Sequence, residues 1–559
     1  MAEAPRNAAR HIRAGMLSEP ATRQSGRLRN AALVLIALVL VNGAITFHNV
    51  WPTLGIRWPG ELSIELAVLL LVLSISNALL GPTSPRVLAF LAAMLVLFTI
   101  GRYGEVTAPA LYGREVNLYW DAQHVGALAG MLTRVASPWV VGAIAVGFLV
   151  ALALLYAGAR WSLGQIDSAL HARAARLGFG IAATLLVSLF VAQRLSNRVP
   201  RVPQFSTPVS VTYATQVSRV LDTFAISRAA RALPASPPLK SNFGALGDSD
   251  VIVVFMESYG RVTYDRPEVA HVVTPARERF AAAVRDTQRE VVSAFVTSPT
   301  FGGSSWFAHS SFLSGIDVTD PDRYALLLTQ KRATLVSAFK GAGFRAIAMM
   351  PGLRQSWPEG AFYGFDLIYG ADQLDYRGPE FGWWRIPDQF SVAALDAREV
   401  RPRPRKPLFV FFPTISTHMP FRPTPPLQPD WPRMLSANPF DADAVTRSLT
   451  QSPEWTRMGA SYGASVQYAF DVLASYLRAR ANERFVLIVL GDHQPAANVS
   501  GEGASWDVPV HVISGRAGIL ESLQAHGFAA GMDPAPHAIA RMNELGPMLL
   551  ASFDSTAPP

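Results

Sequence analysis

The apolar positions of this chain fall into two regimes that change near residue 195. Before it they form long unbroken runs at about Ala31 to Val50, then 62–80, 86–101, 137–157 and 177–193. Most of these approach the roughly 20 residues a helix needs to cross a bilayer, and 86–101 is the shortest. The first run is too long for a signal-peptide core and lacks a small-residue cleavage site, so it reads as a retained span. From Asp248 onward the runs shrink to strand length: Val251–Met256, Val291–Val296, Arg345–Met350, Leu408–Pro413, Phe485–Leu490 and Val508–Ser514. Helical stretches such as Arg332–Gly341 and Ala464–Ala479 lie between them. Continuous apolar strands alternating with helices predict an α/β domain with a largely parallel central sheet. Prolines 200, 203, 208, 234, 237 and 238 punctuate the segment between the regimes, leaving one short amphipathic helix near Val217 to Ala230. The expected order is a basic tail (1–30), a five-helix transmembrane domain (31–194), a linker (195–246) and the α/β domain (247–559).

Composition sharpens this division. Half of the 559 residues are hydrophobic and only 16% are charged, an apolar excess that sits before residue 195. With no cysteine, the chain has no disulfide, no thiolate metal site and no Cys nucleophile. The formal charge of +8 comes from scattered arginines without a binding motif, which argues against a nucleic-acid partner. Six arginines in residues 1–30 mark a disordered basic tail on the cytoplasmic side, and five spans then place everything after residue 194 outside the cytoplasm. Arg160, Arg173 and Arg176 fall in an inner loop and agree with this orientation, whereas Arg102, Arg114 and Arg134 fall in the outer loop spanning 102–135. That loop contains Arg114 to Asp121, amphipathic and aromatic, which reads as an interfacial helix in preference to a substrate element. The Ala/Arg-rich, cysteine-free composition points to a bacterial source with a periplasm, so the spans are expected in the inner membrane with the α/β domain on the periplasmic or extracellular side.

Candidate chemistry gathers at strand ends. The strand Val291–Val296 leads through Thr300-Phe-Gly-Gly into Ser304-Ser305 and an apolar, helix-forming segment. A serine where a strand gives way to a helix N-terminus faces free N–H groups and the positive end of the dipole, which favour an anion. Taken alone, a Ser-Ser pair there is more simply a helix cap. Three other strands, however, end in polar residues: Glu257, Asp492-His493, and His418 in Thr414-Ile-Ser-Thr-His418-Met-Pro-Phe421. Singly, each has a structural account as a cap or a packed histidine. Together, at the carboxyl ends of parallel strands, they supply two carboxylates, an imidazole and a hydroxyl. That set suits one divalent cation, Zn²⁺ or Mn²⁺, with Mg²⁺ as a further candidate. A cation beside a serine lowers the hydroxyl pKa and neutralises charge on a phosphoryl group, while His418 can protonate a leaving group or hold the phosphate.

At these residues the chain resembles the alkaline phosphatase superfamily, and within it the membrane-anchored, sulfatase-like branch of lipoteichoic acid synthases, phosphoglycerol transferases and phosphoethanolamine transferases. The resemblance spans nearly the whole chain, with the catalytic domain at about 248–540. It implies that Glu257, Ser305, Asp492 and His493 bind one metal, that Ser305 is the nucleophile and that His418 is the substrate histidine. Leu313-Ser314-Gly315 resembles the family's Leu-Thr-Gly-like element, ten positions before whose glycine the nucleophile stands; this selects Ser305, with Ser304 as the fallback. Gly382-Trp-Trp-Arg-Ile-Pro-Asp388 resembles the family's Trp/Gly-rich turn ending in an acid, here Asp388, and Tyr468-Ala-Phe-Asp-Val-Leu resembles its following helix.

The departures matter too. True sulfatases carry Pro two and Arg four residues after the modified Cys or Ser; this chain has Phe307 and His309, so formylglycine chemistry is not expected. Aligning the synthases' substrate Trp with Trp357 puts Met350, Gly352 and Glu359 where His, Asp and Arg clamp glycerol phosphate, leaving Arg354 as a substitute. The cysteines common in phosphoethanolamine transferases are absent. The expectation is therefore metal-dependent transfer of a phospholipid head group, of the phosphoglycerol or phosphoethanolamine type, to a glycan, lipid or polymer acceptor through a phosphoserine. A phosphodiesterase or phosphatase using water, or a catalytically silent membrane scaffold, is the alternative.

Overall fold

The computed structural model describes residues 8–112, 115–123, 138–196, 200, 202–225, 232–354, 357–381, 385–451 and 457–555. The chain divides into two compact units: residues 1–50, 54–108 and 115–224, and residues 51–53, 109–114 and 225–559.

The first unit is helical. α1 (Ala8–Thr46), α3 (Pro85–Tyr112), α4 (Pro138–Leu170) and α5 (Arg173–Leu195) are long, and each contains a stretch long and apolar enough to cross a membrane. α2 (Ile64–Leu79) is apolar but shorter. Two expectations change here. The run at 86–101 is not the short one, because α3 continues through Gly101-Arg102 where the apolar pattern stops. Arg102 is only 2% exposed, and its Nε donates to the carbonyl of Phe47 at 2.8 Å while Glu105 lies 3.4 Å from its Nη1. A partnered arginine can stay inside a helical bundle. The basic tail, expected to be disordered, is helical from Ala8, consistent with its Ala- and Arg-rich sequence. Asn77 ties α2 to α4 by donating to Asp167 at 3.0 Å.

The expected linker is shared out. α6 (Val209–Ala225) belongs to the first unit, whereas Leu239, Phe243 and Leu246 pack into a core of the second. The end of the predicted 217–230 helix, together with Arg114, Arg134 and Gly382–Trp384, lies outside the described residues. Leu118–Gln123 is a short helix, its first N–H donating to Gln216 on α6.

The second unit is built on a nine-stranded sheet: β1 (Asp250–Met256), β2 (Glu290–Thr297), β3 (Arg345–Met349), β4 (Leu367–Tyr369), β5 (Leu408–Pro413), β6 (Phe485–Gly491), β7 (Asp507–Ser514), β8 (Ala529–Ala530) and β9 (Ala538–Arg541). The strand order is β8-β2-β7-β6-β1-β5-β3-β4, with β9 beside β2. The strands β6, β1, β5, β3 and β4 are mutually parallel; β7 runs against both β6 and β2. Two reversals restore direction, so β2 points the same way as the parallel set. The carboxyl ends of β1, β2, β5 and β6 therefore share one edge. All six strands anticipated from the apolar runs are present.

Because side chains alternate across a strand, each central strand feeds two cores. Ile252, Val254 and Met256 of β1 join one, under α7 (Pro267–Asp286) and the later helix 458–479; Val251, Val253 and Phe255 join the other, under the helices 305–314 and 542–552. This double burial explains why the strands read as continuous apolar runs.

A buried imidazole in β7 makes the domain acid-sensitive. His511 bonds through Nδ1 to Ser293 Oγ at 2.7 Å and through Nε2 to Tyr259 Oη at 2.9 Å. Burial, aided by the Arg277 charge, pushes its pKa down to about 3 from the usual 6.5. As pH falls below 6.5 the unfolded chain therefore gains a proton that the folded one refuses, and stability is lost towards pH 3. Thermal denaturation of the full chain should show its melting temperature falling by roughly 4 °C or more between about pH 7 and 5. His511→Gln should melt lower at neutral pH yet follow a flatter pH profile.

Candidate active site

The site begins with strand register. Met256 of β1 pairs with Gly491 of β6, so the next residues, Glu257 and Asp492, leave the sheet side by side. Gly491 has to be glycine: a Cβ there would stand 1.8 Å from the carbonyl oxygen of Tyr259. Ser258 then turns at φ 57°, a left-handed conformation uncommon for a side-chain-bearing residue. The turn aims its N–H at Asp492 Oδ1, 2.8 Å away, and the N–H of His493 reaches the same oxygen at 2.7 Å. Thr414, following β5, accepts the N–H of Glu257 at 3.1 Å.

The serine arrives from β2. Gly302 (φ 67°), Gly303 (φ 143°) and Ser304 (φ 62°) form a left-handed run that ends in α8 (Ser305–Ser314). Two hydrogen bonds staple this loop to the Asp492 loop: Ser298 Oγ donates to the carbonyl of Asp492 at 2.5 Å, and Gly302 N to that of Gln494 at 3.0 Å. Ser305 Oγ then lies 3.1 Å from Glu257 Oε2 and 3.2 Å from His493 Nε2. Ser304 stands at the N-cap position, but its hydroxyl makes no capping bond.

Ligand atoms of Glu257, Asp492 and His493 all lie within 4.8 Å of one another, and all three residues are buried. His493 Nδ1 donates to the carbonyl of Gln494 at 2.7 Å, which leaves the Nε2 lone pair facing the carboxylates. Asp492 Oδ2 is enclosed and accepts no hydrogen bond. A buried carboxylate oxygen with no donor, an oriented imidazole and a hydroxyl fit a tetrahedral divalent cation. The electrostatics express the same crowding. Burial works against ionising Glu257, yet the hydrogen bond and charge of His493, with His418, hold its carboxyl well below the usual range. Burial and the Glu257 charge push Asp492 up. Burial depresses His493, but Asp492 and Glu257 outweigh it and raise the imidazole to about 9.

Other expected site residues sort differently. His418 follows β5, and its Nδ1 donates to the carbonyl of Met419 at 2.7 Å. Asp388, expected to line the substrate, is held by backbone amides. It is 2% exposed and opens α9 (Asp388–Leu395), where its oxygens accept the N–H groups of Ile415 at 2.8 Å and Ser416 at 3.1 Å. Burial raises its pKa to about 6. Its role is to hold the loop that carries His418. Trp357 is half-buried, stacking on Tyr363 with ring centroids 5.6 Å apart, and Arg354 is exposed on the loop after β3. Sequence reasoning passed over His309, one helical turn beyond Ser305. Its ring packs edge-on against Phe255 and Phe411, and its enclosed Nε2 has no hydrogen-bond partner. Burial lowers its pKa to about 4. The four-residue spacing from Ser305 was the available signal.

A two-face-covered, mostly parallel sheet thus gathers two carboxylates, an imidazole and a hydroxyl at one carboxyl edge, an arrangement able to hold a divalent cation beside the hydroxyl. Residues 249–515 match the Sulfatase family model, so this segment is a sulfatase-like domain and the chain is a sulfatase-like phosphotransferase or hydrolase. Similar solved structures include the lipoteichoic acid synthase LtaP of Listeria monocytogenes (13% identity, 51% of this chain and 69% of that one, TM-score 0.32). The Streptococcus pyogenes phosphoglycerol transferase GacH, in complex with sn-glycerol-1-phosphate, is similar at 14% identity over 56% and 76%, with TM-score 0.37. The periplasmic domain of Escherichia coli EptC in complex with Zn aligns at 16% identity over 51% and 77%, with TM-score 0.34. At TM-scores this low these likenesses carry no weight of their own, and the family assignment rests on residues 249–515. No curated protein matches the chain.

Titration calorimetry and metal analysis of the full chain should find about one divalent ion bound per molecule. Asp492→Asn or His493→Ala should weaken that affinity ~100-fold or more, as loss of a ligand from a four-ligand set does.

Proposed function

We propose that this is a membrane-anchored enzyme that removes the phosphorylated head group of a phospholipid, of the phosphoglycerol or phosphoethanolamine type, and passes it to an acceptor alcohol outside the cytoplasm. The observation that carries the reading is the position of Ser305 Oγ, 3.1 Å from Glu257 and 3.2 Å from His493 in the first turn of a helix. Glu257, Asp492, His493 and Ser305 would hold one divalent cation, Zn²⁺ or Mn²⁺. Bound there, it supplies the positive charge that lowers the serine pKa and offsets charge on the phosphoryl oxygens.

Ser305 Oγ attacks phosphorus, the bond to the diacylglycerol oxygen breaks, and a phosphoserine diester forms. His418 delivers a proton from Nε2 to the departing diacylglycerol oxygen, then takes one from the acceptor hydroxyl that displaces Ser305. Asp388 acts through the loop, keeping His418 in register. Arg354 and Trp357 sit on the loop after β3, at the same sheet edge, and are assigned to the head group. Phe307 and His309 stand where formylglycine formation requires Pro and Arg, which speaks against sulfate-ester hydrolysis.

Intact-mass analysis after quenching a reaction with head-group-labelled phosphatidylglycerol or phosphatidylethanolamine should show one head-group adduct on the wild-type chain. Ser305→Ala should lack the adduct and lose diacylglycerol release by ~10³-fold or more; Ser304→Ala should retain both. Release of free head group without any acceptor would identify water as the acceptor. Adduct formation on the Ser305→Ala chain would overturn the assignment.

If α2 also crosses, the spans number five, and this reading assigns the second unit to the side of the membrane away from the basic tail. The absence of native cysteine makes this directly measurable. A membrane-impermeant maleimide should label Lys240→Cys in intact spheroplasts, but Ala172→Cys, between α4 and α5, only after permeabilisation. The reverse pattern would place the catalytic unit in the cytoplasm.

A further inference from the structure

The loop after β5 carries a cation that the proposed mechanism does not use. Arg422 lines a cleft with His418, Ser416 and the apolar side chains of Phe381, Ile386 and Phe421. Its Nε is enclosed and has no hydrogen-bond partner. Other arginines at loop and helix ends of this domain are neutralised: Arg405 by Asp250, Arg480 by Asp396, Arg345 by Glu399. Among the described residues no carboxylate stands in that relation to Arg422. A guanidinium keeps its proton, and an enclosed Nε–H with no acceptor is an unfavourable arrangement unless a ligand supplies one.

The backbone around Arg422 is fixed at both ends. Upstream, Asp388 accepts the N–H groups of Ile415 and Ser416. Downstream, Thr424 N donates to Gln451 Oε1 at 3.3 Å and Ser448 Oγ to the carbonyl of Thr424 at 2.5 Å. In between, Phe421 is held at φ 67°, a strained conformation for an aromatic residue. Its ring compensates by burying edge-on against Tyr462, centroids 5.2 Å apart, and its N–H donates to the carbonyl of His418 at 3.0 Å. A loop anchored at both ends, with a strained residue at its centre, presents His418 and Arg422 to one cleft. The cleft is small, about 20 Å³, room for about one water-sized group and not for an acyl chain.

We propose that Arg422 is the anion clamp of this site, binding the oxygens of a phosphate-type group beside His418 through its planar fork. This rests on the reading of His418 as the histidine that faces the substrate. The anion is either the phosphate being transferred from the donor or a phosphate already present on the acceptor.

The test uses the full chain in detergent, metal-loaded, with inorganic phosphate as the probe. Calorimetry compares Ser305→Ala, in which no adduct can form, with Ser305→Ala carrying Arg422→Gln or Arg422→Lys. Loss of a charge-assisted bond should weaken phosphate binding about 10- to 100-fold for Gln. Lys, which keeps the charge but loses the fork, should fall between the two. If Arg422→Gln lowers the melting temperature, the Lys variant decides alone. Phosphate affinity unchanged in both variants would overturn the proposal. The source of the anion follows from Arg422→Gln with Ser305 intact. Slower adduct formation assigns the clamp to the donor phosphate; normal formation with slower discharge to the acceptor assigns it to the acceptor. Should the wild type form no adduct from any phospholipid, the head-group reading fails, while the phosphate measurement still decides Arg422.

Discussion

Two carboxylates, Glu257 and Asp492, are buried within 4.8 Å of each other, and the architecture of the catalytic unit answers to that fact. At an effective dielectric of about 20, like charges at this separation repel by roughly 3 kcal/mol, before the cost of taking either from water. The compensation comes from several elements at once. Asp492 Oδ1 receives two backbone N–H groups, one of them aimed by the left-handed turn at Ser258. The imidazole of His493 lies 3.4 Å from Glu257 and 3.7 Å from Asp492. Ser305 donates to Glu257. One oxygen, Asp492 Oδ2, is left over, and a divalent cation would satisfy it.

Strand register creates this pair, and the sheet topology supplies its partners. β7, running against its neighbours, keeps β2 in the same sense as β1, β5 and β6. Without that double reversal the loop ending in Ser305 would emerge at the opposite edge.

How much of this was legible in the sequence follows from the physics of each part. The six long strands were visible because burial on both faces makes them uninterrupted apolar runs; β4, β8 and β9 were not, being two to four residues long with no periodicity to read. Glu257, Ser305, Asp492, His493 and His418 stood out as polar residues ending apolar strands, and the structure brings the first four within hydrogen-bonding or ligand range of one another. The burial of Asp388 was not legible, because a carboxylate that accepts two loop amides looks the same in sequence as one that meets substrate. α3 was cut short at Arg102, since a charge ends an apolar run on paper while a carbonyl acceptor lets it continue in space. Arg422 gave no signal; its isolation depends on what does not surround it.

Glu257 and the Asp492-His493 pair are separated by some 235 residues of chain, yet β1 and β6 are adjacent in the sheet. Pairing so distant in sequence is entropically slow and comes late in folding. The nucleophile-bearing loop, stapled to the Asp492 loop, cannot take its final geometry sooner. Partly folded molecules would thus hold Ser305 as an ordinary, unactivated serine, and reactivity would switch on only with completion of the fold. The long loop closure doubles as a safeguard: the serine stays chemically silent until the domain is whole.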